Sequence, residues 1–544
     1  MLVPYIRFDG SESAKQMSRI FAENLQDLLL KIDDGKNDFD RGFFHTSTVQ
    51  HEGTCYYNEI WSRDAGRGLI ELARLGFKDE ARQVAAYLLE NINEKDHWGR
   101  AIPNNYSADN ETDGNALILL GISRTWKANN FEIDLAKTYL AATLPVFKWM
   151  EKLMDSNEFS LLPSNSELSG NPNTPYSVFG IYPNYAALEA IYAFRAMACK
   201  ADLEEEQYYD MLGKRLEKAI RENLISRGQS ILTPKNIWLN GIDSRDGRPY
   251  EFSEWDGTSW PIYHWTRQLP YILSSDMREI KLLQDNMYNT NLSSYEYILN
   301  YMSNSRYFRK YGFVSNTGWT GTGERHDDTM CGYGQGFMTQ AALLADDVNT
   351  YSKLLEGVAR LAYDGDVVQP LSFEMNPWVM HECFNYENYE EGYDHTFGVK
   401  SEGRPQILEN PGDEGNLVQA AEILKVFAII AGVDDSNQDK LIIRPRIPWI
   451  WDDIYVENYP AVIDGESTRI EYKMTHERWK RTCTIKLKST ARIKNADFRI
   501  GPFPAYLKLP STFEYYVENS KGASWIWIRD IEGYEYEKTI SLYK

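Results

Sequence analysis

Residues 61–76, WSRDAGRGLIELARLG, open a helix rich in small residues directly after a polar, aromatic loop. The same arrangement recurs at 111 (ETDGNALILLGISRTW), 182 (YPNYAALEAIYAFRAM), 255 (WDGTSWPIYHWTRQLP), 331 (CGYGQGFMTQAALLAD) and 415 (GNLVQAAEILKVFAII). The starts are roughly 50–80 residues apart, a spacing too irregular for a solenoid consensus. Ser62 is the expected N-cap of the first of these helices. Each is preceded by another helical stretch. In residues 14–31, for example, Met17, Ile20, Phe21, Leu25 and Leu28 recur on one face at helical spacing.

Six such units read as six helical hairpins. Small residues on the second helix of each suit an inner ring, where neighbouring helices approach closely. The expected fold is therefore mainly α, an (α/α)6 barrel with the loops before the inner helices converging at one end. After Gly432 the pattern changes. LIIRPRIP (441–448), TRIEYKMTH (468–476), KRTCTIKLKST (480–490), TFEYYVEN (512–519), SWIWIRD (524–530) and KTISLYK (538–544) alternate β-branched and aromatic residues between turns. Residues 1–436 are thus expected to form the barrel, and 437–544 a C-terminal antiparallel β-sandwich packed on it without a flexible linker.

Composition narrows the partners. The chain of 544 residues carries 58 Lys+Arg against 79 Asp+Glu, a net charge of −21. That balance argues against a nucleic-acid partner, which needs basic stripes, and disfavours an anionic membrane surface. No run approaches 18 apolar residues, so no membrane span is expected. The start, MLVPYIRFDG, lacks a basic segment followed by an apolar one, which points to a cytoplasmic location. Cys55, Cys199, Cys331, Cys383 and Cys483 are widely spaced and odd in number. They read as reduced core thiols, not as a disulfide framework or a zinc site. Neither a metal nor a cofactor is expected. An aromatic share of 13% fits either a well-packed core or a cleft whose rings stack on sugar faces.

The loops before the inner helices hold acidic groups beside aromatics. The first, YYNEIWSRDAGRGL (56–69), offers Trp61, Arg63 and Asp64. Arg63 and Asp64 either cap the helix and pair with each other or grip adjacent sugar hydroxyls through a fork-shaped donor and a carboxylate. The segment resembles the Trp-x-Arg-Asp motif of the glucoamylase family and a corresponding segment of trehalases, both six-hairpin glycosidases. The second loop, NNYSADNETDGNAL (104–117), supplies Asp113 and is similar to a glucoamylase-like Asp-Gly-x-Ala-Leu segment lining the sugar site. The third carries Glu167 within LLPSNSELSG (161–170) but lacks the Trp-Glu-Glu pattern that holds the acid of glucoamylases.

The fourth loop, YEFSEWDGTSWPIYHW (250–265), resembles the trehalase and processing α-glucosidase segment in which the Asp after Trp is the general acid. The resemblance implies that role for Asp256, with Glu254, Trp255 and Trp260 beside it. An aromatic wall would keep such a carboxyl protonated. The fifth loop, NTGWTGTGERHDDTMCGYGQG (316–336), brings Trp319, Glu324 and His326. One histidine is too few for a transition-metal site, so an ion-paired cleft wall is expected. The sixth, residues 370–416, contains Glu374, Trp378, Glu382 and Glu414. HECFN (381–385) is the nearest match to the base segment of the trehalase-like clan, which implies Glu382 as general base, with Glu374, Glu414 and Glu167 as second choices.

Two carboxyls facing each other across a pocket suit an inverting glycosidase, with about 6.5–9.5 Å between them to admit a water. The resemblance implies hydrolysis of a terminal glycosidic bond, with an α-glucosidic substrate weighted by family. IIRPRIPWIWDDIYVENYPA (442–461) also looks like the lead-in to the β-domain of α-L-rhamnosidases. A polysaccharide lyase or phosphorolytic enzyme on the same toroid, or a non-catalytic carbohydrate-binding protein, remains as the alternative. A GxSxG elbow, a Walker loop and a GxGxxG turn after a strand are all missing from the sequence, which leaves esterase, NTPase and dinucleotide readings without support.

Overall fold

The computed structural model of the chain describes residues 3–36, 39–47, 50–51, 54–55, 60–103, 111–163, 178–228, 234–239, 241–249, 281–303, 306–314, 329–363, 367–368, 378–380, 383–386, 417–435, 440–463, 465–510 and 515–542.

Strand β1 (Tyr5–Asp9) leads into helix α1 (Glu12–Leu30). Ser11 caps this helix by accepting from the Ala14 N–H at 3.1 Å, and Met17, Ile20, Phe21, Leu25 and Leu28 are buried along its inner face. The short strands β2 (Gln50–His51) and β3 (Thr54–Cys55) pair with each other. There follow β4 (Ile60–Trp61), α2 (Ser62–Arg74), α3 (Lys78–Glu90), β5 (Ala101–Ile102), α4 (Thr112–Ala128) and α5 (Ile133–Asp155). Next come β6 (Val178–Gly180), α6 (Ile181–Lys200), α7 (Glu205–Asn223), β7 (Gly241–Asp243), α8 (Lys281–Met302) and α9 (Arg306–Tyr311). The helical part closes with β8 (Thr329–Cys331), α10 (Gly332–Leu344), α11 (Val348–Tyr363), β9 (Val367–Val368), β10 (Cys383–Tyr386) and α12 (Leu417–Ala431).

Burial separates these helices into two layers. α2 buries twelve of its thirteen residues and α12 fourteen of fifteen, whereas α3 buries five of thirteen and α7 six of nineteen. A helix covered on every side belongs inside, and one with a single apolar stripe belongs outside. The inner helices contact one another in the order α6, α4, α2, α12, α10, with α3, α5, α7, α11 and α1 packed against them. Inner helices therefore begin at Ser62, Thr112, Ile181, Gly332 and Leu417, close to five of the six expected starts. The sixth, at 255, lies outside the described residues. Among the described residues no helix is long and apolar enough to cross a membrane.

A device repeated in three hairpins fixes how an inner helix meets the chain before it. The fourth residue of α4, α6 and α10 is Asn115, Asn184 and Gln335. Each side chain accepts from one backbone N–H in the segment before its helix: Trp98 at 2.9 Å, Leu162 at 2.8 Å and Val314 at 2.8 Å. Each also donates back to carbonyls there, those of Trp98, Leu162 and Gly312. Buried backbone groups that no ladder satisfies are thus paired by a side chain.

The C-terminal strands are β11 (Val433–Asp434), β12 (Leu441–Ile443), β13 (Asp453–Ile463), β14 (Glu466–Glu477), β15 (Thr482–Pro504), β16 (Tyr515–Ser520) and β17 (Ala523–Ser541). The expected two-sheet sandwich is instead one eight-stranded sheet in the order β1-β13-β14-β15-β12-β11, with β17 on β15 and β16 on β17. It curls because β15 and β17 are long and their pairing shifts register between Lys488 and Ile493 and at three further points; such bulges bend a strand and raise its twist. The sheet also recruits β1 from the N-terminus, whose Ile6 pairs with Val456. Alternation in YIRFD alone spans too few residues to show which sheet it joins.

The sheet is bolted to the helices at the α10–α11 turn. Asp346 there, at a φ of 50°, receives the Arg499 guanidinium through two bonds of 2.6 and 2.7 Å and the Arg446 Nε at 3.1 Å. Burial alone would raise its pKa, but Arg499 and Arg446 prevail and hold it at about 2. Phe8 packs between Phe427 of α12 and Trp451, and Tyr472 of β14 donates to the Ala431 carbonyl at 2.6 Å.

Candidate active site

α2 and α4 cross closely because two glycines remove the obstacle. A Cβ at Gly66 would stand 2.5 Å from Leu117 Cβ and 2.6 Å from Ile118 N, and one at Gly114 would stand 2.2 Å from Ser62 Oγ. This proximity brings the first turns of the two helices together. Arg63 Nε donates to Asp113 Oδ2 at 2.8 Å, and its NH2 group donates to Glu111 Oε1 at 3.2 Å. Ser62 Oγ donates to Glu111 Oε2 at 3.4 Å. The first helical residue is Ser62, so Trp61 occupies the N-cap position and Ser62 serves Glu111 instead of capping its own helix.

The pairing of β4 with β5 sets Trp61 opposite Ala101 and draws in the residue before it. Arg100 lies over the Trp61 ring at 4.4 Å and brings its Nε to 3.4 Å from Glu111 Oε1. Arg63, Asp113 and Glu111 are buried, whereas the Arg100 side chain is 38% exposed. Trp61 is half-buried. This group therefore meets solvent through Trp61 and Arg100.

Asp64 faces the other neighbour. Its Oδ1 accepts from the Val418 N–H at 3.3 Å, close to the start of α12, where orphan amides and the helix dipole favour a carboxylate. Thr46 ties the same two helices together: its Oγ1 accepts from Trp61 N at 2.9 Å and its carbonyl from Leu417 N at 2.7 Å. The N-terminal ends of α4, α2 and α12 are thus joined by side chains at one end of the helical layer.

One turn deeper, Arg67 forms a floor. Its guanidinium donates to Glu422 of α12 and to the Tyr182 hydroxyl of α6 and lies 4.8 Å from the Phe337 ring centre of α10. Gln340 of α10 donates to Glu422 Oε2 at 2.6 Å. Four inner helices therefore meet on one buried ion pair. The sequence carries a signal for it: Arg67 follows Arg63 by four residues, and Glu422 and Lys425 are the only charges in AEILKVFAII (421–430). A buried charge in such a run requires a partner. Glu111 and Arg100 carry no such signal, because they sit in polar loops where charges are ordinary.

Of the residues singled out in the sequence, the structure brings together Trp61, Arg63, Asp64 and Asp113. Trp378 has its neighbours on α1, with Arg19 over its ring at 4.2 Å and Asn24 donating to its carbonyl at 3.0 Å. Glu167, Glu254, Trp255, Asp256, Trp260, Trp319, Glu324, His326, Glu374, Glu382 and Glu414 lie outside the described residues. Among the described residues no group of three or more His, Cys, Asp and Glu is arranged to hold a metal ion.

No protein-family model and no curated protein matches the chain. Solved structures do. An α-L-rhamnosidase from Dictyoglumus thermophilum aligns with 100% of this chain at a TM-score of 0.57 and 9% identity. A GH78-family rhamnosidase of Bacillus sp. GL1 aligns with 89% of it at 0.54 and 12% identity. An α-L-rhamnosidase from Streptomyces avermitilis, solved with L-rhamnose, aligns with 99% at 0.53 and 10% identity. The chain spans 51%, 41% and 42% of those proteins' own lengths, in that order. The helical layers and the C-terminal sheet of this chain thus share the fold of α-L-rhamnosidases.

Proposed function

We propose that the chain is a glycoside hydrolase that cleaves a terminal glycosidic bond with inversion. The observation that carries this reading is the cluster of Arg63, Asp113, Glu111 and Trp61 at adjoining inner-helix starts, closed beneath by Arg67 and Glu422. A fork-shaped donor, carboxylates and an aromatic ring around one floor suit the hydroxyls and apolar face of a single sugar. The fold shared with rhamnosidases supports the same chemistry, and so does the resemblance of the loops to six-hairpin glycosidases. In this reading a sixth hairpin beginning near 255 completes the ring, residues 1–436 carry the site, and 437–544 brace it.

Asp256 serves as the general acid, protonating the leaving oxygen, and Glu382 as the base that activates water. Glu374, Glu414 and Glu167 are second choices for the carboxyl roles. Glu254, Trp255, Trp260, Trp319, Glu324 and His326 belong to the wider wall, whereas Trp378, held against α1, is left out of it. For an inverting pair the two carboxyls stand about 6.5–9.5 Å apart, leaving room for the water. The sugar is a terminal α-linked hexose or deoxyhexose, α-L-rhamnose and α-D-glucose being the first to try. The test is a panel of aryl glycosides that includes both, with the anomer of the fresh product read by NMR. Turnover giving the inverted anomer supports the reading. A retained anomer, an unsaturated product, or sugar binding without turnover contradicts it.

A further inference from the structure

Two of the five cysteines stand opposite each other in the small sheet beside α10. Strands β8 and β10 run antiparallel in a register that pairs Cys383 with Cys331, Phe384 with Met330 and Asn385 with Thr329. Directly opposed positions of an antiparallel pair share one face of the ladder, with Cα atoms about 4.5 or about 5.5 Å apart by pair type. A disulfide spans Cα separations of about 4.4–6.8 Å, so either type meets its requirement. Cys331 also directly precedes Gly332, the first residue of the thirteen-residue helix α10. A helix N-terminus favours the thiolate, the form that undergoes exchange. Cys199 is exposed near the end of α6, and Cys483 is buried in β15, where burial pushes its thiol well up.

We propose that Cys331 and Cys383 form a reversible cross-strand disulfide, with a low-molecular-weight disulfide such as oxidised glutathione as the oxidant. The Cys331 thiolate attacks one sulfur of the oxidant, which forms a mixed disulfide and expels one glutathione thiolate. The Cys383 thiolate then attacks the Cys331 sulfur, breaking that bond, closing the protein disulfide and releasing the second glutathione thiolate. Two protein thiols are oxidised, one glutathione disulfide is reduced to two thiols, and the two protons lost by the cysteines pass to them. The link fixes β10, which begins immediately after Glu382, to the start of α10. It departs from the expectation of five reduced thiols and does not depend on the glycosidase reading.

The test equilibrates the full chain in glutathione buffers from fully reduced to fully oxidised, quenches with acid, alkylates under denaturing conditions and maps the peptides. The expected free-thiol count falls from five to three as the buffer is oxidised, with the Cys331 and Cys383 peptides linked and a reducing agent restoring five. In Cys331→Ser and Cys383→Ser no protein disulfide forms in the same buffers. Five thiols at every poise, a lost pair that includes Cys55, Cys199 or Cys483, or a lasting glutathione adduct on Cys331 with Cys383 free would each overturn the proposal.

Discussion

Arg63 and Asp113, fifty residues apart in the chain, meet at 2.8 Å where two inner helices cross, and Glu111 takes the other arm of the same guanidinium at 3.2 Å. Because Arg63 is buried, either carboxylate alone still compensates it, but the loss of both does not. Asp113→Asn or Glu111→Gln alone is expected to cost about 2 kcal/mol of unfolding free energy. The double variant should cost more than the sum by about 1–3 kcal/mol. Urea unfolding of the four forms measures this coupling, and simple additivity would show that the carboxylates do not share Arg63.

The floor pair is a sharper case. Replacing Arg67 by Met leaves Glu422 as an uncompensated charge among four helices, for a loss of about 3–5 kcal/mol. Adding Glu422→Leu removes that charge, and the double variant should recover most of the loss. Thermal unfolding of the single and double variants decides between this and a purely steric role, in which the second substitution adds damage.

Asp346 makes the attachment of the sheet sensitive to acid. Its carboxyl is held at about 2 against an ordinary 3.8. A depressed folded pKa contributes stability that is present above 3.8 and is lost as pH falls through 2. The shift corresponds to about 2 kcal/mol. The stability gap between wild type and Asp346→Asn should therefore shrink by about that amount from pH 5 to pH 2. A gap that stays constant over this range would show that the arginines do not hold the carboxyl down.

His476 adds an acid-sensitive step at higher pH. It is buried between Trp449 and Phe503, and among the described residues neither ring nitrogen has a hydrogen-bond partner. Burial, aided by Arg478, pushes its pKa from 6.5 down to about 3. Below pH 6.5 the unfolded chain takes up a proton that the folded chain refuses, so stability falls as pH drops toward 3. His476→Leu should flatten the decline between pH 6.5 and pH 4 by about 3 kcal/mol. Denaturant midpoints across that range are the measurement, and parallel curves would refute it.

Much of the helical plan was legible because the inner helices announce themselves by small residues after polar loops. Gly66 and Gly114 are the physical content of that signal, since a Cβ at either would strike the neighbouring helix. The repeated unit was legible too, in DGNAL, YPNYA and YGQGF, but its meaning depended on knowing that Asn115, Asn184 and Gln335 reach back to the preceding segment. Sheet membership was not. The pairing of β1 with β13 joins residues more than four hundred positions apart, and nothing in five alternating residues names a partner. At the site, Arg63 and Asp113 were visible as types but not as a pair. Adjacency in sequence suggests an Arg63–Asp64 pair as one of two readings, whereas Asp64 turns to Val418 on the next helix.

The most direct test of the proposed chemistry compares turnover of aryl α-L-rhamnoside and α-D-glucoside by the wild-type chain, Asp256→Asn and Glu382→Gln. The expected result is hydrolysis of one of them by the wild type, with each variant slower by about 10³-fold while still unfolding at the wild-type temperature. Hydrolysis at an unchanged rate by either variant, or none of either substrate by the wild type, would contradict it.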